Sequence, residues 1–365
     1  MITCQSCEEG SVKLEDIRAQ IDELDCKLQA LLNERANLAL HVARIKAKTN
    51  EPLYRPEREA QILRNVLSRN SFGAMDDDKI IAIFRQIISA CLALESMQKV
   101  AFLGPLGTFT ELAVRKHFGD SAQILPRSDI DLVFHAVETR EANYGVVPVE
   151  NSSEGAVNHT LDCFKTSDLS IIGEIELNIS HNLLAAQDTE LLDIKIIYAH
   201  EQALAQCRKY LDANFKNAQK IAVSSNALAA QKVTKNVAVI ASEAAAKLYD
   251  LKILAQNIQD RQSNITRFLI IGKNSIGKSG ADKTSLLIHA KDEVGALLSI
   301  LTPLAKYNLS MTSIQTRPSV DKWSYIFFID LLGHVQDRSV QLAINEIAAN
   351  VIQLKILGSY PVAIG

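Results

Sequence analysis

One cation stands where an apolar side chain is due. From Leu14 the apolar positions run Leu14, Ile17, Ile21, Leu24, Leu28, Leu31, Leu38, Val42 and Ile45, alternating steps of three and four as a heptad seam requires. Arg35 occupies the position seven after Leu28, and Lys46 falls eleven residues further on, about 20° around the helix. A guanidinium in such a seam is very costly unless it meets an anion. The two charges therefore look into one cavity suited to a small anionic ligand. Arg18, about 100° away on the same count, faces elsewhere and is placed to reach the cavity of a neighbouring subunit.

Other residues carry weaker chemical signals. His200, beside Gln202 at the end of an apolar strand, reads either as an acid or as a helix-capping histidine. Cys4 and Cys7 form a lone C-x-x-C without a second pair or a nearby histidine, which reads as a terminal tail rather than a zinc or redox site. Gly272 to Ser279 fits the phosphate-loop pattern letter for letter, and a strand precedes it. A phosphate loop must open a helix, however, and strand-like Thr284 to Ile288 follows after Gly280 and Asp282. The segment reads as a linker.

Three segments position these groups. Residues 14 to 48 form one helix of roughly 50 Å, longer than a small domain is wide, so its seam calls for a partner chain. Pro52 and Pro56 end it, and Glu57 to Arg69 and Asp76 to Gln98 supply two more helices. From Lys99 short apolar strands alternate with helices. Strand candidates are Val100 to Leu103, Tyr144 to Val149, Ser170 to Ile175, Ile196 to Ala199, Ile221 to Ser224, Val237 to Ala241 and Arg267 to Ile271. This predicts two α/β lobes with parallel sheets and a ligand cleft between them. After a Gly, Ser and Lys-rich linker at Asn274 to Lys283, a β-α-β-β-α-β order predicts a ferredoxin-like unit, its third strand starting at Trp323 and its last spanning Val351 to Leu357. The expected domains are residues 12–97, all-α; 99–275, two-lobed α/β; and 283–362, α+β.

Composition bounds the function. The chain has 365 residues, 47% of them apolar, which suits two or three domains. A net charge of −3 with no basic block argues against nucleic acid as a partner. The first residues show no secretory signal, no stretch approaches the roughly 20 apolar residues of a membrane span, and six scattered cysteines read as reduced thiols. The expected location is the cytoplasm.

With Arg58 and Glu59 in the second helix, the first segment resembles the all-helical chorismate mutases that form intertwined dimers. The resemblance implies a pericyclic rearrangement without nucleophile, metal or cofactor, driven by positioning of a dicarboxylate and by positive potential at the breaking ether bond. It places Arg35, and Arg18 from a partner chain, at carboxylates and Lys46 at the ether oxygen. Arg58 and Glu59 contact the site, Glu59 at the substrate hydroxyl. Cys91 aligns where a serine often sits, and Glu95 where a glutamine often donates to the ether. A carboxylate cannot donate, so Glu95 must be protonated, its pKa raised by burial.

Three stretches of the middle segment, Gly104 to Thr110, Val147 to Gly155 and Asn264 to Phe268, are together similar to prephenate dehydratase. That reaction expels carbon dioxide and hydroxide to make an aromatic ring, so hydroxide departure must be assisted and two carboxylates held. The resemblance implies Thr266 at the leaving hydroxyl, Asn151, Ser152 and Gln202 orienting substrate, Arg267 as a carboxylate partner, and Glu150 as a structural residue or an acid. In the third segment Glu293 to Leu298 and Ile314 to Pro318 resemble ACT domains of phenylalanine-controlled enzymes. Gly295, Ala296 and Leu297 would then receive the effector's carboxylate at a helix start, with Gln315, Thr316, Arg317 and Pro318 as the second motif. Relatives more often have Glu-Ser where Gln315-Thr316 stands.

The resemblances together imply a bifunctional enzyme acting on chorismate and prephenate, with L-phenylalanine as effector, as a dimer or tetramer. Two alternatives stay open: a dehydratase with a helical dimerisation domain, and a non-catalytic amino-acid sensor. Arg35 and Lys46 argue against the sensor, which needs no such buried charge.

Overall fold

The computed structural model describes residues 13–49, 52, 54–71, 73–261, 263–319 and 324–364. Cys4, Cys7 and Trp323 lie outside the described residues. The expected first helix, α1, spans Leu14–Thr49, with Glu15 and Asp16 in its first turn and Lys46 and Lys48 in its last, each suited to the helix dipole there. No residue of α1 is buried. The whole apolar seam from Leu14 to Ile45 faces outward. Helix α2 (Pro56–Arg69) starts on a proline, which already has the helical φ, and α3 (Asp77–Glu95) opens with Asp77 and Asp78. Leu63 of α2 packs on Ile81 and Ile88 of α3 in a small core.

The middle segment builds two lobes. The first contains β1 (Lys99–Leu103), α4 (Phe109–Phe118), β2 (Gln123–Arg127), α5 (Ile130–Glu138), β3 (Tyr144–Asn151), β4 (Gly155–Ala156), α6 (Asn158–Thr166) and β5 (Ser170–Asn178). The second contains β6 (Asn182–Ala185), β7 (Ile196–Ala199), α7 (Glu201–Gln206), α8 (Arg208–Asn214), β8 (Gln219–Ala222), α9 (Asn226–Ala230), β9 (Val237–Ala241), α10 (Glu243–Leu248) and β10 (Lys252–Ala255). The chain then returns as β11 (Ile265–Gly272) into the middle of the first sheet, whose order is β2-β1-β3-β11-β5. The second sheet runs β10-β6-β9-β7-β8.

Both sheets are mixed, which corrects the expectation of parallel ones. β1 pairs parallel with β2 and β3, and β7 with β8 and β9, whereas β11 runs antiparallel to β3 and β5, and β6 to β9 and β10. Strands that cross between lobes enter the sheet from the opposite end, which reverses their direction. β2, β6 and β10 were not among the expected strands. Each has a single pair of large apolar residues, Ile124-Leu125, Leu183-Leu184 and Ile253-Leu254, with no aromatic and at most one β-branched residue to mark a strand.

The third segment has β12 (Asp282–His289), α11 (Ala296–Lys306), β13 (Met311–Pro318), β14 (Tyr325–Leu332), α12 (Arg338–Ala348) and β15 (Gln353–Pro361) in the expected ferredoxin-like order. Alternation along β12 and β14 gives the sheet two buried faces. Leu286, Ile288 and Ile329 meet Ile300 of α11 and Val340, Ala343 and Ile347 of α12. Leu287, Phe328, Leu357 and Tyr360 instead pack on Phe164, Ile171 and Leu269 of the first lobe. The approach is close at Gly358, where an added Cβ would lie 2.1 Å from the Ile171 carbonyl oxygen.

The phosphate-loop look-alike opens no helix; its last residues lead directly into β12. They strap onto the helical segment, since Arg64 of α2 donates to the Ser279 carbonyl at 2.7 Å and to the Ala281 carbonyl at 2.9 Å.

Candidate active sites

An open pocket of about 740 Å³ lies between α1, α2 and α3, and its walls include Arg35, Lys46, Arg58, Glu59, Cys91 and Glu95. Helical spacing accounts for this. Arg35 and Lys46 share one face of α1, and Cys91 and Glu95 are four apart on α3. Arg35 Nη1 donates to Cys91 Sγ at 2.8 Å, which orients the guanidinium. Burial pushes the Glu95 carboxyl up, against the opposing pull of Lys46 and Arg35, and its buried Oε2 has no hydrogen-bond partner. A proton on this carboxyl would make Glu95, a residue of the pocket wall, a hydrogen-bond donor. Glu59 is pushed up to about 7 by burial, although Arg85 and the Tyr54 hydroxyl pull it down. Arg18 lies outside this pocket, on the exposed length of α1.

A second cavity, about 970 Å³, is the cleft between the two lobes. Its wall includes Thr266 from β11, Asn151 from β3, and His200 and Gln202 from the end of β7 and the start of α7. Asn151 Nδ2 donates to Thr266 Oγ1 at 2.8 Å and to Asn264 Oδ1 at 2.9 Å. With its oxygen accepting from Asn151, the Thr266 hydroxyl has its own proton to offer to the cleft. Asn264 Nδ2 donates in turn to Gln206 Oε1 at 3.0 Å, which also lies 2.8 Å from His181 Nε2. Burial pushes the His181 imidazole down, and its Nδ1 has no partner. Phe109 meets the His181 ring edge-on, with centroids 5.5 Å apart. Gly107, at φ +83°, lets the loop after β1 close on the second lobe, where Ser242 donates to its carbonyl at 2.7 Å.

Sequence reasoning missed Asn264, Gln206 and His181. Asn264 was visible within the third motif, two residues before Thr266, and so on the same face of the strand. Gln206 lies four after Gln202 on one helix, while His181 carries no local signal. His200 caps α7, its Nδ1 accepting from the Gln202 backbone N–H at 3.3 Å.

Three expected substrate contacts do not line the cleft. Ser152 Oγ accepts from the Ile265 backbone at 3.0 Å and ties two chain segments together. Arg267 and Glu150, each adjacent to a cleft residue on its strand, face the opposite side of the sheet. There Arg267 pairs with Glu174 at 2.8 Å and with Asp330 at 2.6 Å. Burial opposes its charge, yet Tyr360, Asp330 and Glu174 outweigh that and hold the guanidinium above its usual range.

In the third segment Gly295 has φ +86° and precedes Ala296 and Leu297, the first residues of α11; the space around it is open. Gln315, Thr316, Arg317 and Pro318 end β13. Gln315 lines a cavity of about 30 Å³ behind the cleft, and Arg317 pairs with Asp162 of α6 at 2.6 Å. The two motifs share none of the cavities described above. Among the described residues no helix is long and apolar enough to cross a membrane.

A helical pocket of cations, a two-lobed cleft with a hydroxyl at its wall and a four-stranded regulatory-type sheet define a multidomain enzyme with separate catalytic compartments. Family models agree in order: chorismate mutase type II matches residues 17–96, prephenate dehydratase 100–276 and the ACT domain 284–349. The bifunctional chorismate mutase/prephenate dehydratase of Pseudomonas aeruginosa is 47% identical over 96% of this chain and 98% of its own length. That of Aquifex aeolicus is 45% identical over 96% and 99%. A crystal structure of prephenate dehydratase in complex with L-Phe, from Arthrobacter aurescens, has a TM-score of 0.68 at 33% identity, covering 73% of this chain and 90% of that one. The chain belongs to the bifunctional chorismate mutase/prephenate dehydratase family.

Proposed function

We propose that the chain rearranges chorismate to prephenate in the helical pocket and converts prephenate to phenylpyruvate in the cleft. The observation that carries this is the presence of two separate cavities, one lined by Arg35, Lys46, Arg58, Glu59, Cys91 and Glu95, the other by Asn151, Gln202 and Thr266.

In the first pocket Arg35, steadied by Cys91, grips a carboxylate of chorismate. Lys46 and protonated Glu95 donate to the ether oxygen as negative charge builds there, which lowers the barrier without any covalent step. Arg58 and Glu59 hold the remainder, Glu59 at the hydroxyl. In the cleft Thr266 gives a hydrogen bond to the departing hydroxyl of prephenate while carbon dioxide leaves, and Asn151 fixes the orientation of that hydroxyl. Gln202 orients the substrate from the second lobe.

The ACT domain takes L-phenylalanine as effector at the start of α11, where Gly295 leaves backbone N–H groups accessible. The chain works in the cytoplasm as a homo-oligomer. The exposed seam of α1 supports the homo-oligomer, since apolar surface of that length is covered in stable proteins, and Arg18, on the same exposed length, would then reach a second subunit's pocket. Assaying the full chain separately on chorismate and on prephenate, with and without L-phenylalanine, tests all of this. Turnover of both substrates, each lost through its own pocket's variants, is expected. A folded chain that leaves chorismate unchanged removes the mutase reading.

A further inference from the structure

Strands β3 and β11 carry Asn151 and Thr266 towards the cleft, and the neighbouring residues Glu150 and Arg267 away from it. The strands are in register here, with Thr266 opposite Asn151 and Arg267 opposite Glu150. Successive side chains of a strand take opposite faces, so any displacement of Arg267 reaches Thr266 through one shared peptide unit.

Two of the four groups that Arg267 meets lie outside its own domain. Its Nη2 lies 2.6 Å from Asp330 and 2.9 Å from the Tyr360 hydroxyl, both of the C-terminal sheet. Its Nε lies 2.8 Å from Glu174, and its Nη1 3.7 Å from Glu150. Glu174, with a fully buried side chain, is itself held from the C-terminal domain by Lys283 at 2.8 Å and by the Ala363 backbone N–H at 3.1 Å. Adhesion alone does not call for these charges. Leu287, Phe328 and Leu357 already join the domains by apolar contact, and a buried ion cluster seldom outdoes such packing. The cluster sits directly behind the two polar residues of the cleft, and the ladder of β11 with β3 is irregular between Arg267 and Phe268, a bulge that sets the aim of the side chains beside it.

We infer that Arg267 and Glu150 are positioning residues through which the C-terminal sheet sets the geometry of Thr266 and Asn151. This rests on the placement of Thr266 at the departing hydroxyl. The cluster divides one guanidinium between carboxylates of two domains, so a small shift of the C-terminal sheet changes which partner dominates and moves β11 with it.

Asp330→Asn in the full chain removes the charge on the C-terminal side and touches nothing in the cleft. The expected result is a fall in kcat on prephenate of about tenfold with KM nearly unchanged, because a misplaced hydroxyl binds substrate yet reacts slowly. Chorismate turnover stays at the wild-type value, while the unfolding midpoint falls because the buried guanidinium has lost one charged partner. Tyr360→Phe, which removes a single hydroxyl from Arg267, serves if Asp330→Asn folds poorly, and is expected to lower kcat by about threefold. Wild-type kcat on prephenate in a folded variant overturns the inference. Undiminished kcat in Thr266→Ala overturns instead the reading beneath it, so the two failures are distinct.

Discussion

In the helical pocket the groups proposed to act are cations, Arg35, Lys46 and Arg58, on helices of which one has no buried residue. In the cleft they are neutral, Asn151, Gln202 and Thr266, enclosed between two sheets, and Asn151 and Thr266 are tied into a chain of side-chain hydrogen bonds through Asn264 and Gln206. The reactions account for the contrast. A pericyclic rearrangement breaks no bond to the protein and needs a fixed field around a dianion, which half-buried cations on a rigid helix supply. Loss of hydroxide needs a proton offered at one atom, and that requires a donor whose direction is fixed by its neighbours.

The comparison is tested most severely by removing one group from each site. Lys46→Ala is expected to lower chorismate turnover by about 10²–10³ and leave prephenate turnover unchanged, since a lost donor at developing charge costs that much. Thr266→Ala should lower prephenate turnover by about 10² and spare chorismate turnover. Steady-state assays on each substrate check both; loss of both activities in either variant would erase the distinction.

The two sites should also differ in pH response. Burial holds the Glu95 carboxyl high, so its donor form disappears as pH rises, and mutase activity falls with it. Glu95→Gln keeps a donor at every pH, and its profile should be flat from about pH 5 to about 9, apart from any step that Glu59 contributes. The doubly substituted Glu59→Gln, Glu95→Gln chain separates the two.

A smaller effect is expected on stability. Glu59 moves from an ordinary value of 4.5 to about 7 in the folded chain. A raised folded pKa means that its neutral form is favoured by folding. That contribution is complete below about pH 4.5 and is lost as pH rises through about 7, amounting to about 3 kcal/mol. Thermal unfolding of wild type and Glu59→Gln across this window measures it; equal slopes would show that Glu59 is not buried as described.

The heptad seam exposed Arg35 and Lys46 because a helix repeats often enough for one wrong residue to stand out. The cleft is legible only through three motifs, and a motif by itself does not separate the two faces of its strand. Thr266 and Arg267 are sequence neighbours in one strand, so both cannot address one ligand; alternation alone places Arg267 behind the sheet. His181 comes from β6's approach, in a lobe whose short strands carry no period, and only the folded chain brings it to Gln206. The mixed sheets were beyond reach for a related reason: strand direction depends on the path between lobes, not on local composition.

The register of β11 also limits what its own first residues can become. Inserting or deleting one residue between Arg267 and the buried run Phe268 to Ile271 would exchange the faces of the residues before it, handing a guanidinium to the substrate chamber and a hydroxyl to the seam between domains. That stretch therefore tolerates altered side chains more readily than an altered length.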